Sequence, residues 1–152
     1  MNILIDADGC PVVDITLRLA KEYNLNVILF CDTSHIFSKE KAEVVTVGKG
    51  ADSADFALIN RISAGDIVIS QDYGLAALAL SRHGRPITQN GKIITDNNID
   101  TLLLTRHAAK KARSGGYRLK GPSKRTKQQD DDFERNLRKL IENENFNCTG
   151  QL

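Results

Sequence analysis

The chain has 152 residues, a formal net charge of +2 and an apolar content of 41%, which together indicate one globular domain with its own core. No apolar stretch approaches the roughly 20 residues of a membrane-spanning helix, and no basic lead-in precedes the first apolar run. Cys10, Cys31 and Cys148 are odd in number and far apart, which argues against a disulfide framework or a zinc site. We therefore expect a cytoplasmic protein without a signal peptide or a membrane partner.

Charge is distributed unevenly along the chain. Residues 1–105 hold 9 Lys and Arg against 13 Asp and Glu, whereas residues 106–129 hold 9 Lys and Arg and no acidic residue. Residues 130–152 are acidic again, with 3 basic residues against 6 acidic ones. A basic stretch after an acidic body is either a solvated tail or a surface that binds phosphate groups.

Short apolar runs alternate with helical patterns in the first half of the chain. In chain order, the pattern predicts a strand at residues 2–5, a helix at 11–23, strands at 26–31 and 42–47, a helix at 53–62, a strand at 67–70 and a helix at 73–82. The helix at 53–62 carries apolar residues at Phe56, Ile59 and Ile62. Strand–helix alternation gives right-handed crossovers and a mainly parallel sheet with helices on both faces, an α/β fold.

The pattern changes after residue 82. Residues 89–92 read Gln-Asn-Gly-Lys between two short apolar runs, and the Asn-Gly step predicts a tight hairpin. A helix that carries the three leucines 102–104 follows, with Asn98 or Asp100 as its cap.

Beyond Arg113, glycines and a lack of apolar residues predict an arm, and residues 130–142 then predict a short amphipathic helix. The chain divides on this basis into an α/β domain at 1–113 and a C-terminal part at 114–152. That part comprises the basic arm and a helix that packs on the domain or trails from it.

Acidic residues follow two of the predicted strands. Asp6 and Asp8 come directly after the first strand, and Asp72 follows the strand at 67–70. In open α/β sheets, ligands bind beyond the carboxyl ends of the strands, where the strand order switches direction. If the first strand is central and the strand at 67–70 pairs beside it, these carboxylates meet there. Asp52 and Asp55 lie three residues apart at the start of a helix that leads to the same region.

Each acid also has a local structural explanation. Asp8 with Gly9 suits a turn, Asp72 suits the cap of the next helix, and Asp52 or Asp55 suits a helix N-terminus. Several carboxylates in one cleft repel one another unless a cation or a proton offsets their charge, so the combination favours a hard divalent metal. Ligands that are all oxygens favour Mg²⁺ or Mn²⁺.

A phosphatase is the second interpretation of the same residues. Residues 6–9, Asp-Ala-Asp-Gly, resemble the nucleophile motif of haloacid-dehalogenase-type phosphatases, in which the first Asp attacks phosphorus. Those enzymes also need a later acidic pair after a strand, whereas Asp66 precedes its strand here. We rank this interpretation below a metal site.

Three blocks of sequence resemble the uncharacterised bacterial YaiI/YqxD-like family: LIDADGCPV, GADSADFALINRISAGDIVISQDYGLAALAL and RLKGPSKR. The resemblance covers the chain to about Glu142, and the family is regarded as related to PIN-domain nucleases. It implies the sheet order 3-2-1-4-5, with acids at the end of strand one, on a middle helix and at the end of strand four. Asp6, Asp55 and the Ser70-Gln71-Asp72 segment match those positions.

One position departs from the PIN pattern. Many PIN sequences carry a further acid two residues past the position of Asp72, where this chain has Gly74. Asp8 or Asp52 would have to replace that acid at a second metal ion.

The sequence therefore predicts a divalent-metal-dependent nuclease, with RNA favoured over DNA. Asp6, Asp55 and Asp72 would hold the metal, and Ser70 would orient a water or a ligand. Asp8 and Asp52 are further candidate ligands.

The basic stretch supplies the candidates for nucleic-acid binding. They are Arg118, Lys120, Lys124 and Arg125, because Lys and Arg neutralise backbone phosphates without reading sequence. Tyr117 is the one aromatic residue of this stretch that could stack on a base. Because this chain has Gly74 in place of that acid, a non-catalytic nucleic-acid-binding module stays an alternative to the nuclease. The sequence does not decide whether the chain forms a homodimer.

Overall fold

The computed structural model describes residues 1–32, 42–48, 53–116 and 124–143. Within these ranges, five strands form one sheet and five helices pack around it. The strands are β1 (Asn2–Asp6), β2 (Asn26–Asp32), β3 (Ala42–Val47), β4 (Ile67–Ile69) and β5 (Arg85–Ile87). The helices are α1 (Val13–Glu22), α2 (Ser53–Arg61), α3 (Tyr73–Ser81), α4 (Ile99–Ser114) and α5 (Lys127–Glu142).

The sheet is parallel throughout, and its order is β3-β2-β1-β4-β5. The predicted α/β class and strand order are therefore confirmed. β1 is central and is apolar at consecutive positions (Ile3, Leu4 and Ile5 are fully buried), because helices cover both faces of a parallel sheet. The chain passes from β1 to β2 and β3 on one side of β1, and then to β4 and β5 on the other side. The point where the strand order switches direction is therefore at the carboxyl end of β1.

The two faces of the sheet have separate apolar cores. On one face, Ile3 and Ile5 of β1 pack with side chains of α1 and α5. On the other face, Leu4 packs with side chains of α2 and α3. A smaller cluster joins α3 to α4 through Ala76 and Leu102. The alternation of β1 residues between the two cores follows from the two-residue period of a strand.

Helix α5 belongs to the core of this sheet. Its apolar stripe is fully or almost fully buried and consists of Phe133, Leu137, Leu140 and Ile141. The helix begins three residues before the predicted start, because Thr126 and Gln129 form a reciprocal capping box that satisfies two backbone N–H groups. Ion pairs of Arg138 with Glu22 and of Arg18 with Glu134 hold its exposed side against α1.

Two features of the periphery depend on how the helices pack. Phe56 is 66% exposed, whereas the neighbouring Leu58 and Ile59 are buried. Phe56 lies outside the apolar core on that face of the sheet and lines the groove between α2 and α3. The basic stretch begins within α4, which continues to Ser114.

The predicted hairpin is present in reduced form. Thr88 and Lys92 close the turn through a backbone hydrogen bond of 2.9 Å, and one antiparallel bridge joins Ile87 to Ile93. Gly91 has a φ of +88°, and a Cβ there would lie 2.7 Å from the carbonyl oxygen of Asp132. The turn therefore needs glycine both for its backbone conformation and for its contact with α5. None of the helices in the described ranges has the length and apolar character of a membrane span.

Replacing Leu137 with Ala tests whether α5 is part of the cooperative fold. Leu137 is fully buried, so the change should lower the free energy of unfolding by about 2–5 kcal/mol. The matched control is Leu104→Ala on α4, where the side chain is 69% exposed and the expected change is within about 0.5 kcal/mol. Urea unfolding of both variants measures the difference, and equal midpoints would show that α5 is not packed as described.

Candidate functional site

The ends of β1 and β4 are joined by the hydroxyl group of Ser70. Asp6 is the last residue of β1, and Ser70 follows β4 directly, with Ile5 and Ile69 in register one residue earlier. Ser70 Oγ donates a hydrogen bond to Asp6 Oδ2 at 3.3 Å and accepts one from the Asp72 backbone N–H at 3.0 Å. Ser70 is itself buried, so its hydroxyl fixes the orientation of the Asp6 carboxylate.

Asp6 lies in an environment that disfavours its negative charge. Burial is the largest cause and, with repulsion from Asp55, raises the pKa of Asp6 from 3.8 to about 6. The hydrogen bond from Ser70 opposes this shift, while the charges of Asp8 and Asp72 add to it. The fold therefore brings four of the five candidate metal ligands into one electrostatic cluster around Asp6.

Asp72 has the capping role that the sequence left open. Its Oδ1 accepts hydrogen bonds from the backbone N–H groups of Gly74 at 2.8 Å and Leu75 at 3.3 Å, which caps α3. The guanidinium of Arg106, on α4, donates to the same oxygen at 2.9 Å. These contacts all involve Oδ1 and direct that oxygen toward α3 and α4.

Asp8 has a structural contact at the neighbouring strand. Gly9 has a φ of +69°, and the backbone N–H of Cys10 donates to the carbonyl oxygen of Ala7, so residues 7–10 form the predicted turn. Asp8 Oδ2 accepts a hydrogen bond of 3.1 Å from the backbone N–H of Asp32, the last residue of β2. Asp8 thus ties the turn after β1 to the end of β2.

The described residues fit a divalent cation by ligand chemistry, although they do not form a complete set of ligands. Within these residues, no group of three His, Cys, Asp or Glu side chains is close enough to hold a metal ion. Mg²⁺ does not require such a group, because it keeps several waters and is commonly bound through one or two carboxylates and a substrate phosphate. Asp6 and Asp55 fit that arrangement, since both are acidic and Asp55 exerts the largest repulsion on Asp6. Asp52 lies outside the described residues.

A shallow cavity of about 240 Å³ opens beside the cluster, between α2 and α3. Asp55 and Asp72 line it together with apolar side chains, among them the exposed Phe56 and Leu78. Gly74 forms part of the same surface, and a Cβ there would lie 3.2 Å from Asp72 Oδ1. Gly74, at the position where the PIN pattern has an acid, therefore lies in close contact with the Asp72 carboxylate.

The candidate nucleic-acid-binding residues have different surroundings. Arg125 donates hydrogen bonds to Asp130 Oδ1, to Asn90 Oδ1 and to the carbonyl oxygen of Gln89, so its guanidinium joins α5 to the turn at Gly91. Lys124 is exposed. Arg118 and Lys120 lie outside the described residues, as does Tyr117.

Two features of the site were missed in the sequence analysis. Arg106 was counted only as the first cation of the basic stretch, and its contact with Asp72 depends on the packing of α4 against α3. The exposure of Phe56 was not predicted. The available signal for Arg106 was an Arg two residues after a run of leucines on a helix, and this signal does not specify a partner.

Cys10 lies close to the cluster but is not suited to nucleophilic chemistry. Burial raises the pKa of its thiol to about 11, and the charge of Asp6 adds to the shift. The thiol therefore stays protonated at neutral pH, whereas a nucleophilic cysteine needs its thiolate form.

A parallel sheet with clustered carboxylates at its switch point defines an α/β protein with an acidic cleft. The chain belongs to the family described as "Uncharacterized BCR, YaiI/YqxD family", whose model matches residues 4–143. This confirms the family resemblance, while the relation of the family to PIN-domain nucleases stays a prediction.

Its relatives cover nearly the whole chain. A "UPF0178 protein" of Exiguobacterium sibiricum is 54% identical over 141 residues, which are 93% of this chain and 96% of that protein. A UPF0178 protein of Clostridium acetobutylicum is 48% identical over 93% of this chain and 97% of its own length. A UPF0178 protein of Alkaliphilus oremlandii is 47% identical over 90% of this chain and 88% of its own length. No solved structure matches this chain.

Replacing Asp6 with Asn tests the electrostatic strain in the cluster. Because the pKa of Asp6 is raised in the folded state, the free energy of unfolding falls as pH rises from about 4 to about 6. With solvent screening, the loss should be about 1–2 kcal/mol. In chelator, Asp6→Asn should be more stable than the parent by this amount at pH 7.5 and equally stable at pH 3.5, as measured by urea unfolding.

The control for this measurement is Asp96→Asn, which removes the same charge at an exposed position. It should not reproduce the pH-dependent gain. An Asp6→Asn effect of the same size at both pH values would contradict the raised pKa.

Proposed function

We propose that the protein is a divalent-metal-dependent phosphodiesterase that cleaves nucleic acid, with RNA favoured over DNA. The observation that supports this proposal most is the convergence of Asp8, Asp55 and Asp72 on Asp6, which raises the pKa of Asp6 to about 6. A surplus of negative charge at a switch point is offset by binding a cation there. The preference for RNA rests on the resemblance to PIN-domain nucleases.

Asp6 and Asp55 would hold the ion, Mg²⁺ or Mn²⁺, and Asp8 and Asp72 would strengthen the negative potential around it. When bound, such an ion lowers the pKa of a coordinated water and adds positive charge beside a phosphate. Asp52 is a further candidate ligand in this proposal.

The neighbouring residues orient the Asp6 carboxylate that would hold the ion. Ser70 holds Asp6 through its hydroxyl, and its own position is held by the backbone N–H of Asp72. In the metal-free protein, the pKa of Asp6 is raised to about 6 by burial and by the neighbouring carboxylates, and a bound cation would offset this repulsion. Ser70 is thus the positioning residue, and Asp6 is the candidate ligand that it orients.

The cavity beside the cluster favours a nucleic acid over a small phosphate. Its apolar surface carries Phe56, whose 66% exposure leaves the ring available to stack on a base. Lys124 is the described candidate for phosphates further along the strand, and Arg118 and Lys120 stay candidates from the sequence alone. Arg125 is left out of this role because its guanidinium is bonded within the protein.

Mn²⁺ binding and cleavage test the proposal together. Thermal melts of the parent should show a Mn²⁺-dependent rise, because an ion that binds only the folded state stabilises it by about 2.7 kcal/mol at a hundredfold excess over its Kd. The parent should cut a labelled single-stranded oligoribonucleotide with Mn²⁺, and Asp6→Asn and Asp55→Asn should lose both the rise and the cleavage. Asp96→Asn should keep both.

The same samples distinguish the alternatives. Turnover of p-nitrophenyl phosphate that Asp6→Asn abolishes, without oligonucleotide cleavage, would instead favour the phosphatase. Oligonucleotide binding without any product would favour a non-catalytic binding module. A parent that shows no rise in melting temperature at millimolar Mn²⁺ would rule out the metal site, and the nuclease proposal with it.

Replacing Phe56 with Ala tests the stacking surface. Loss of one base–aromatic contact costs about 1–3 kcal/mol, so affinity for a single-stranded oligonucleotide should fall about tenfold or more. Phe56→Tyr keeps the ring and should bind like the parent, and affinity for a blunt duplex should not change because its bases stay paired. Fluorescence anisotropy measures all three, and equal affinities for Phe56→Ala and the parent would remove Phe56 from the site.

A further inference from the structure

Arg106 joins the acidic cluster to the basic stretch of the chain through a contact with Asp72. Its guanidinium Nη1 lies 2.9 Å from Asp72 Oδ1, and the two side chains are 53% and 35% exposed. The same oxygen already accepts two backbone N–H groups as the cap of α3. Asp72 therefore keeps its structural role without Arg106.

The ion pair can be exchanged at little cost. Exposed Arg–carboxylate pairs contribute little to stability, because water and salt screen them and two long side chains must be held in place. Arg106 is thus held near the cluster without being locked there. A guanidinium also binds phosphate through two parallel hydrogen bonds, a geometry that a lysine does not offer.

The position of Arg106 on α4 extends the site. Ile99 and Leu102 lie on the buried side of the helix and pack toward α3. Arg106 follows on the same stripe at helical spacing, and Lys110 and Arg113 continue it by one and two turns. The stripe that is apolar against α3 therefore becomes cationic where α4 passes the carboxyl edge of the sheet.

We propose that Arg106 is a phosphate-binding residue of this site, which rests on Asp72 when no nucleic acid is present and moves to a substrate phosphate when one binds. The inference depends on the proposed function, because it needs a phosphodiester beside the cluster. A phosphate would otherwise face four carboxylates, and the positive charge of Arg106 removes part of that repulsion. The transfer also releases Asp72 Oδ1 from one of its three contacts.

This exchange has a signature that a structural ion pair lacks. Removing Arg106 should weaken binding of nucleic acid, because one phosphate contact is lost. It should strengthen binding of Mn²⁺ in the absence of nucleic acid, because the competing positive charge on Asp72 is gone. The two effects have opposite signs, whereas misfolding or a loosened α4 would weaken both.

The test uses the full chain with Arg106→Ala, Arg106→Lys and the control Arg82→Ala. Arg82 is exposed at the other end of α3, so its removal changes net charge without touching the cluster. Binding of a labelled single-stranded oligonucleotide is measured by anisotropy in chelator at several salt concentrations. Mn²⁺ binding is measured by calorimetry without nucleic acid.

For Arg106→Ala we expect severalfold weaker oligonucleotide binding, a log–log salt slope smaller by about 0.7, and a Mn²⁺ Kd several times lower than that of Arg82→Ala. Arg106→Lys should recover the salt slope of the parent. An unchanged slope, or equal Mn²⁺ affinity in Arg106→Ala and Arg82→Ala, overturns the inference while the proposed function stands. If the parent binds neither Mn²⁺ nor the oligonucleotide, the proposed function fails and this inference fails with it.

Discussion

The pairing of β1 with β4 is the constraint on which the rest of the site depends. Because the two strands are parallel and in register at Ile5 and Ile69, their carboxyl ends finish side by side. Asp6 and Ser70 are the next residues along, and the buried hydroxyl of Ser70 fixes the Asp6 carboxylate between the strands. Any shift of this register by one residue would turn Asp6 to the other face of the sheet.

The same arrangement places charge where the protein can least stabilise it. Burial disfavours the ionised form of Asp6, and Asp55 reaches it from the first turn of α2. The unfavourable charge of Asp6 does not displace β1, because the apolar cores on both faces of the sheet hold this strand in place whatever the ionisation of its last residue. Strain of this kind is typical of functional sites, where a proton or a cation relieves it.

The carboxylates around Asp6 also make contacts that stabilise the fold. Asp8 ties the turn after β1 to β2, and Asp72 caps α3, so each carboxylate also supports its own element. Helix α4 brings a cation to Asp72 from outside the sheet. Helix α5 closes the other face and anchors the turn at Gly91 through Arg125. The cleft is therefore acidic at its centre, with a basic helix at its edge.

Local patterns in the sequence determined most of the architecture. Apolar runs and helical spacing specified the strands, the helices and the parallel sheet, because short-range periodicity reports which side of an element is buried. The position of Asp6, Ser70 and Asp72 after apolar strands indicated where the site lies, since strand ends in a parallel sheet share one edge. The capping box that starts α5, Thr126 with Gln129, was also present in the sequence.

Tertiary structure alone decided how the side chains are used. The exposure of Phe56 depends on how α2 packs against the sheet, and the contact of Arg106 with Asp72 depends on how α4 packs against α3. The raised pKa of Asp6 requires burial and three other carboxylates, two of which, Asp55 and Asp72, are distant in the chain, with Asp72 lying 66 residues away. Helix and strand periodicity are set by neighbours a few residues apart, whereas charge and exposure at a cleft are set by groups that only the folded chain brings together.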